Sequence, residues 1–496
     1  MSDQGREQDA KGEPSLDTKI MRSSAWSALS FGGANILQFI AMLFLARLLR
    51  PDDFGVVAIV YTLLAVLALA QESGLGAALI YRRHDLPEAA ASASVFAPLV
   101  GVALFGACLV VAPWVADAFD TERLTAVFRV MALLLVIRGF AVVPMAILQR
   151  EMLFGHVAKI ELATGVTQAG TAVALAFAGA GVWSLVIAQL AAAALQVGLS
   201  WALTPLRPVL AAASWRVLRE LMRYGRHVGA ANILNFGNNT VDALVVGRVL
   251  GTTPLGYYQI AGRLAGMPVQ VIGNIAGRGV FPAFASLQGD IAGFKRVWIE
   301  NVQRIALLAV PASVGVIIAA EPIVLALLGD DWRPAITPLR ILGSLGFVKA
   351  FSATSGEVFQ ALGRPQLRLY IEIAHIVLIV PAIVVLAEAF DLTGVAVAIV
   401  LVNTLTGIPA LVIIMRALSV RPLELARAIG PSAAGWALLA AVLLALVPAA
   451  DHLPPGLGLG LLVVAGLVVY GAATAVFARG IVATMWLSLR GARSLG

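Results

Sequence analysis

Arg138, Arg263 and Lys349 interrupt long apolar runs, and Glu72, Asp242, Glu357, Glu372 and His375 place titratable groups in similar surroundings. A charge inside hydrocarbon costs about 2.5–3.5 kcal/mol on insertion scales, so a group kept there must meet protein, water or a ligand. Three basic groups without a matching run of midplane acids describe a cationic cavity, which suits an anionic substrate. Arg and Lys are the usual partners of phosphate oxygens. The carboxylates and His375 are candidates to carry a proton or to help bind Na⁺. Asp242 and Glu357 have a second reading, as buried partners that neutralise Arg248 and Lys349.

Amide stripes accompany these charges. Asn232, Asn235, Asn239 and Asp242 stand at i, i+3, i+7 and i+10, within a narrow sector of one helix face. Arg263, Gln270, Asn274 and Arg278 do the same at i, i+7, i+11 and i+15, and Asn35 and Gln38 form a shorter pair. Such faces point at protein or water, never at lipid tails. They either line a cavity or hold helices together by hydrogen bonds of about 0.6 kcal/mol each. Arg47 and Arg248 fall at the ends of two similar segments, where a cation either complements a helix dipole or touches substrate.

Positioning these groups takes many membrane helices. The 496-residue chain is 60% hydrophobic and 13% charged, with a mean hydropathy of +0.91. A soluble domain so composed would lack the polar surface that water requires. At about 20 apolar residues per crossing, the pattern predicts an all-α polytopic membrane protein with about 14 transmembrane helices. Glu72 falls in the second predicted span (54–80), Arg138 in the fourth (124–148), Asp242 in the seventh (228–250) and Arg263 in the eighth (255–285). Lys349 and Glu357 fall in the tenth (335–362), and Glu372 and His375 in the eleventh (368–390).

Basic residues such as Lys19, Arg22, Arg82, Arg83, Arg150, Arg216, Arg219, Arg223, Lys295 and Arg421 concentrate on one side of these spans, which predicts both termini in the cytoplasm. The formal charge of +7 is then a topology signal beside anionic lipid, not a nucleic-acid footprint. Residues 1–18 read as a disordered cytoplasmic tail, 19–203 as an N-terminal lobe of six spans, and 204–227 as a basic amphipathic cytoplasmic linker. Residues 228–417 read as a second six-span lobe, and 418–496 as two extra spans with the C-terminus. No phosphate-binding G-x-x-x-x-G-K-[ST] loop, His-Glu-x-x-His, Cys-x-x-Cys or G-x-S-x-G element occurs. No catalytic residue, metal ligand or cofactor is therefore expected. The chain moves something.

The two lobes show in the sequence as a repeat. Gly32-Gly33-Ala34-Asn35-Ile36-Leu37-Gln38-Phe39 returns as Gly229-Ala230-Ala231-Asn232-Ile233-Leu234-Asn235-Phe236, an offset of 197. Arg47-Leu48-Leu49 with Phe54-Gly55 returns as Arg248-Val249-Leu250 with Leu255-Gly256, an offset of 201. Both copies follow basic cytoplasmic residues and an even number of spans separates them. The predicted halves therefore cross in the same direction, as a parallel repeat, with the substrate site expected between them.

Phe44-Leu45-Ala46-Arg47-Leu48-Leu49-Arg50-Pro51-Asp52-Asp53-Phe54-Gly55, Gly74-Leu75-Gly76-Ala77-Ala78-Leu79-Ile80, Val241 to Gly251 with Leu255-Gly256-Tyr257-Tyr258, and Phe281-Pro282-Ala283-Phe284-Ala285-Ser286-Leu287-Gln288 closely resemble Wzx-type (WzxC-like) polysaccharide flippases. These belong to the multidrug/oligosaccharidyl-lipid/polysaccharide (MOP) exporter superfamily. The resemblance implies a bacterial inner-membrane protein that moves an undecaprenyl-pyrophosphate-linked oligosaccharide from the cytoplasmic to the periplasmic leaflet by alternating access. It also implies partnership with polysaccharide polymerase or export machinery. On it, pyrophosphate would meet Arg138, Arg263 and Lys349, while the Asn and Gln stripes would meet sugar hydroxyls. Glu72 departs from the pattern, which has Asp beside the Gly-Leu motif; the charge survives and the reach differs. The competing expectation is a cation-coupled drug exporter of the same superfamily, which would need an acidic cavity where this chain is mainly basic.

Overall fold

The computed structural model describes residues 37–72, 74–82, 84–277, 284, 290–352 and 354–477. Among them every regular element is helical. Among the described residues eight helices are long and apolar enough to cross a membrane, or nine if one pair bent by 42° counts as a single span. The difference from about 14 comes from helices broken into short pieces, helices too polar to count by composition, one merged pair of helices, and a first predicted span of which only residues 37–48 lie among the described residues.

Contact clustering divides the chain into two compact units. The first comprises residues up to Leu49 together with Val60–Gly237. It contains α1 (Leu37–Leu48), most of α2 (Pro51–Glu72), α3 (Leu75–Tyr81), α4 (Leu86–Ala118), α5 (Arg123–Met131), α6 (Leu133–Gly139), α7 (Val142–Arg150), α8 (Phe154–Phe177) and α9 (Val182–Leu203). The first part of α10 (Trp215–Leu250) also belongs to it. One core joins Leu75, Ala78 and Leu79 of α3, the alanines Ala89, Ala90, Ala93 and Ala97 of α4, and Ala146 and Ile147 of α7. Small residues let these backbones approach, which is how helices associate where lipid is as apolar as their side chains.

Val217, Leu218 and Leu221 of α10 are buried in that same core, while Arg216, Arg219 and Arg223 on the opposite face are exposed. This amphipathic start fastens the segment: Arg82 pairs with Glu220 at 3.1 Å, and the Ser214 amide donates to the Ser92 hydroxyl at 2.9 Å. The Arg150 guanidinium donates to the carbonyls of Leu79 at 2.6 Å and of Arg82. The region expected as a separate linker is therefore helical from Trp215 and continues unbroken into the seventh predicted span.

The second unit comprises Arg50–Ile59 and the chain from Asn238 onward. It contains α11 (Thr252–Gly277), α12 (Ile291–Ile318), α13 (Ala320–Leu327), a 3-10 turn at Asp330–Ala335, α14 (Ile336–Gly343), α15 (Leu345–Ser352) and α16 (Ser355–Ala361). It continues through α17 (Pro365–Ala417), α18 (Pro422–Asp451) and α19 (Pro455–Phe477). The segment α17 is two helices joined at Phe390 and Asp391, whose backbone is not helical, between the eleventh and twelfth predicted spans. The C-terminal pair packs on α12: Leu439, Leu443 and Leu462 join Ile305, Ala306, Ala309 and Val310 in one core, and the Tyr470 hydroxyl donates to the Leu307 carbonyl.

The turns that begin α2 and α11 meet in this unit. A Cβ on Gly55 would overlap the Thr252 carbonyl oxygen, and a Cβ on Gly256 would overlap the Pro51 carbonyl oxygen. Pro51 and Thr252, like Gly55 and Gly256, are 201 residues apart, so the positions matched in the sequence repeat contact each other reciprocally. The Thr252 hydroxyl donates to Asp52, and the fully buried Trp332 ring receives Phe54 and Tyr257 edge-on at centroid distances of 5.5 and 5.8 Å.

Candidate functional site

Two cations stand on similar scaffolds. Arg138 lies on α6, the middle piece of a span built as three short helices, α5, α6 and α7, with breaks at Ala132 and at Phe140-Ala141. Lys349 lies on α15, the middle piece of α14, α15 and α16, with a break at Ser344 and another ahead of Ser355. Three-piece construction shortens the self-contained hydrogen-bond ladders, so neighbouring helices must hold the middle piece in place.

In the first unit, Arg138 is half-buried and Glu72, the last residue of α2, is exposed and within electrostatic reach of it. No carboxylate among the described residues comes within 4.0 Å of the Arg138 guanidinium. The preceding residue, Gln71, is 2% exposed, and its amide nitrogen donates to the Ala97 carbonyl at 2.8 Å and to the Leu135 carbonyl at 2.9 Å. It ties α2 to α4 and α6 immediately beside the Arg138–Glu72 pair.

In the second unit, Asp242 of α10 accepts a hydrogen bond from the buried hydroxyl of Tyr258 on α11. Its charge acts on Lys349, and Lys349 in turn acts on His375 of α17. Lys349 is exposed and, among the described residues, makes no ion pair within 4.0 Å. Of the two partners expected for neutralisation, Asp242 is within electrostatic reach of Lys349 without forming an ion pair to it. Glu357 is half-buried with its Oε2 lacking a hydrogen-bond partner among the described residues. Glu372 is engaged by Arg368 at 2.7 Å, one turn earlier on α17, so its carboxylate already has a cation.

The remaining candidates spread more widely. Arg47, Arg248 and Arg263 are exposed, as is Asn232, and Gln38 is half-buried. Asn35, Arg278 and the side chains of Asn235, Asn239, Gln270 and Asn274 lie outside the described residues. The structure thus gathers Arg138 with Glu72, and Lys349 with Asp242 and His375. Gln71 and Tyr258 escape sequence reasoning. Gln71 looked like one more polar residue at a span end, and its partners lie 26 and 64 residues away; Tyr258 stood only as part of a resemblance. The one signal was adjacency, Ala70-Gln71-Glu72, a polar pair closing an apolar run.

A cation without a paired carboxylate can take an anion, because binding then replaces no existing ion pair. A carboxylate within reach but not in contact keeps the cation from being isolated in low dielectric. Among the described residues no group of three His, Cys, Asp or Glu side chains gathers as a metal site.

Comparison with known proteins gives the family and the fold. Residues 44–337, more than half of the chain, match the family model described as polysaccharide biosynthesis protein. The chain is 30% identical to the succinoglycan biosynthesis transport protein ExoT of Rhizobium meliloti over 332 residues, covering 66% of this chain and 67% of that one. It is 22% identical to the lipopolysaccharide biosynthesis protein WzxC of Escherichia coli, covering 79% of this chain and 80% of that one. Among solved structures, the lipid II flippase MurJ in an inward closed conformation superposes with a TM-score of 0.72 at 14% identity, covering 92% of this chain and 99% of MurJ; that likeness is one of fold. The chain belongs to the polysaccharide biosynthesis protein family and shares its all-helical fold with MurJ.

Proposed function

We propose that this protein is a flippase that carries an undecaprenyl-pyrophosphate-linked oligosaccharide, a precursor of exopolysaccharide, capsule or O-antigen, from the cytoplasmic to the periplasmic leaflet of a bacterial inner membrane. The observation that carries the reading is the pair of cations, Arg138 and Lys349, each on the middle piece of a three-piece span and each without an ion-paired carboxylate among the described residues. A pyrophosphate oxygen is the partner that such a cation suits. Family membership supports a glycan cargo, and the relatives are named for transport and biosynthesis rather than for a bond-making reaction. Both termini lie in the cytoplasm in this reading, and the protein is a secondary transporter, not an enzyme.

Transport proceeds by alternating access. The 42° bend at Phe140-Ala141 supplies a joint at which a span flexes without losing its packed ends. Coupling to a proton or Na⁺ gradient falls to Asp242: held by Tyr258 and within electrostatic reach of Lys349, it alternates between neutralising the cation and taking up a cation of its own when the pyrophosphate arrives. A drug exporter of the same superfamily is the alternative, and it fits less well because cationic drugs would meet Arg138 and Lys349.

Binding tests the reading. Replacing Arg138, Arg263 and Lys349 together by Ala should weaken binding of the lipid-linked glycan to the purified protein by about a hundredfold or more, since each lost charge-assisted contact is worth about 1.5–3 kcal/mol. Wild-type affinity in that triple variant, with an unchanged melting curve, would remove the cationic site from the account.

A further inference from the structure

Gln71 spends both N–H groups of its amide on carbonyls of two other helices, Ala97 of α4 and Leu135 of α6, while only 2% exposed. The space it occupies is bounded by glycines. A Cβ on Gly101 would lie 2.5 Å from the Leu135 carbonyl oxygen and 2.8 Å from the Gln71 amide nitrogen. A Cβ on Gly139 would lie 2.7 Å from that nitrogen and 2.9 Å from the Ala97 carbonyl oxygen. Helices α4 and α6 are therefore in backbone contact, with one amide wedged between them.

The clasp surrounds Arg138. Leu135 lies three residues before it, on the same face one turn back, and Gly139 follows it directly. Helix α6 ends at Gly139, where the span bends by 42° into α7, so no ladder continuing beyond Arg138 fixes its rotation. Gln71 supplies the missing restraint from α2, and Glu72, the next residue of α2, is the carboxylate within reach of Arg138. Only a side chain with two donors on one nitrogen serves both carbonyls: Leu would fill the space and leave them with one partner fewer, a carboxylate would repel them, and a longer cation would not fit between the glycines.

We infer that Gln71 is a positioning residue of the anion site, setting the rotation of α6 so that the Arg138 guanidinium is presented to the pyrophosphate. This rests on the reading of Arg138 as a pyrophosphate ligand.

Two measurements on the full chain in liposomes test it, both below the melting transition. The first is the rate at which a charged thiol reagent modifies Arg138→Cys, in a Cys108→Ala background, with and without Gln71→Leu; a change of about tenfold is expected. The second is the concentration of undecaprenyl-diphosphate oligosaccharide that half-saturates translocation. Gln71→Leu should raise it about tenfold, leave the maximal rate within about twofold, and add nothing further in an Arg138→Gln background.

An unchanged thiol rate overturns the inference, as does a full tenfold loss in the Arg138→Gln background, either of which leaves Gln71 a fold stabiliser only. A changed thiol rate with unchanged half-saturation upholds the positioning role and refutes the pyrophosphate reading of Arg138 instead. If Gln71→Leu does not fold, Gln71→Glu, which when protonated keeps one donor of the two, should give an intermediate shift in both measurements; wild-type values in that variant overturn the inference equally.

Discussion

Asp242 is a carboxylate with two demands on it, the hydroxyl of Tyr258 and the charge of Lys349. If it carries the coupling ion, Asp242→Asn should reduce the acceleration of transport by a proton or Na⁺ gradient at least tenfold, because the amide can neither ionise nor ligate a cation comparably. An unaltered gradient response would remove Asp242 from the mechanism. Tyr258→Phe is the finer probe. It deletes a hydrogen bond to a charged group, worth about 1.5–3 kcal/mol, and keeps the ring packed. The ion concentration that half-saturates the gradient response should shift about tenfold while uncoupled exchange persists. At this scale the sequence was legible for charge and opaque for partnership. Arg138, Lys349 and Asp242 are visible because a charge in an apolar run has few reasons to exist, whereas Gln71 and Tyr258 act through contacts between segments distant in the chain.

Helices carry the second lesson. Amphipathic spans such as α10 and α11 were legible from polar spacing, although they are too polar to count as crossing helices by composition. The three-piece spans were not. Apolar runs at 124–148 and 335–362 read as continuous because Ala132, Phe140, Ala141 and Ser344 keep right-handed helical dihedrals, and the 42° bend after Gly139 shows only in the packed backbone. The reciprocal contact of Gly55 with the Thr252 carbonyl and of Gly256 with the Pro51 carbonyl gives the repeated Phe54-Gly55 and Leu255-Gly256 a physical reason. Neither glycine faces a side chain that could step aside; each faces backbone. Gly55→Ala and Gly256→Ala should each destabilise the protein by about 1–3 kcal/mol, the usual range for overpacking, read as a lower melting temperature in detergent. The double variant should lose less than the sum, since the first change already separates the two turns. Strict additivity would mean that the two contacts are independent.

At the scale of the whole molecule, each compact unit contains one cation on the middle piece of a broken span with a carboxylate in electrostatic reach, Arg138 with Glu72 and Lys349 with Asp242. A transporter that must bind an anion and release it on the far side is served better by such unpaired cations than by closed ion pairs, whose partner would have to be displaced at each cycle. The central claim is that these two cations bind the pyrophosphate of a lipid-linked glycan during its passage. It is tested most directly by reconstituting the purified protein in liposomes and following a fluorescent undecaprenyl-diphosphate oligosaccharide from one leaflet to the other, with Arg138→Glu and Lys349→Glu introduced together. The account predicts rapid translocation by the wild type and a fall of at least about a hundredfold in the doubly reversed protein. Equal translocation by the two proteins would contradict it.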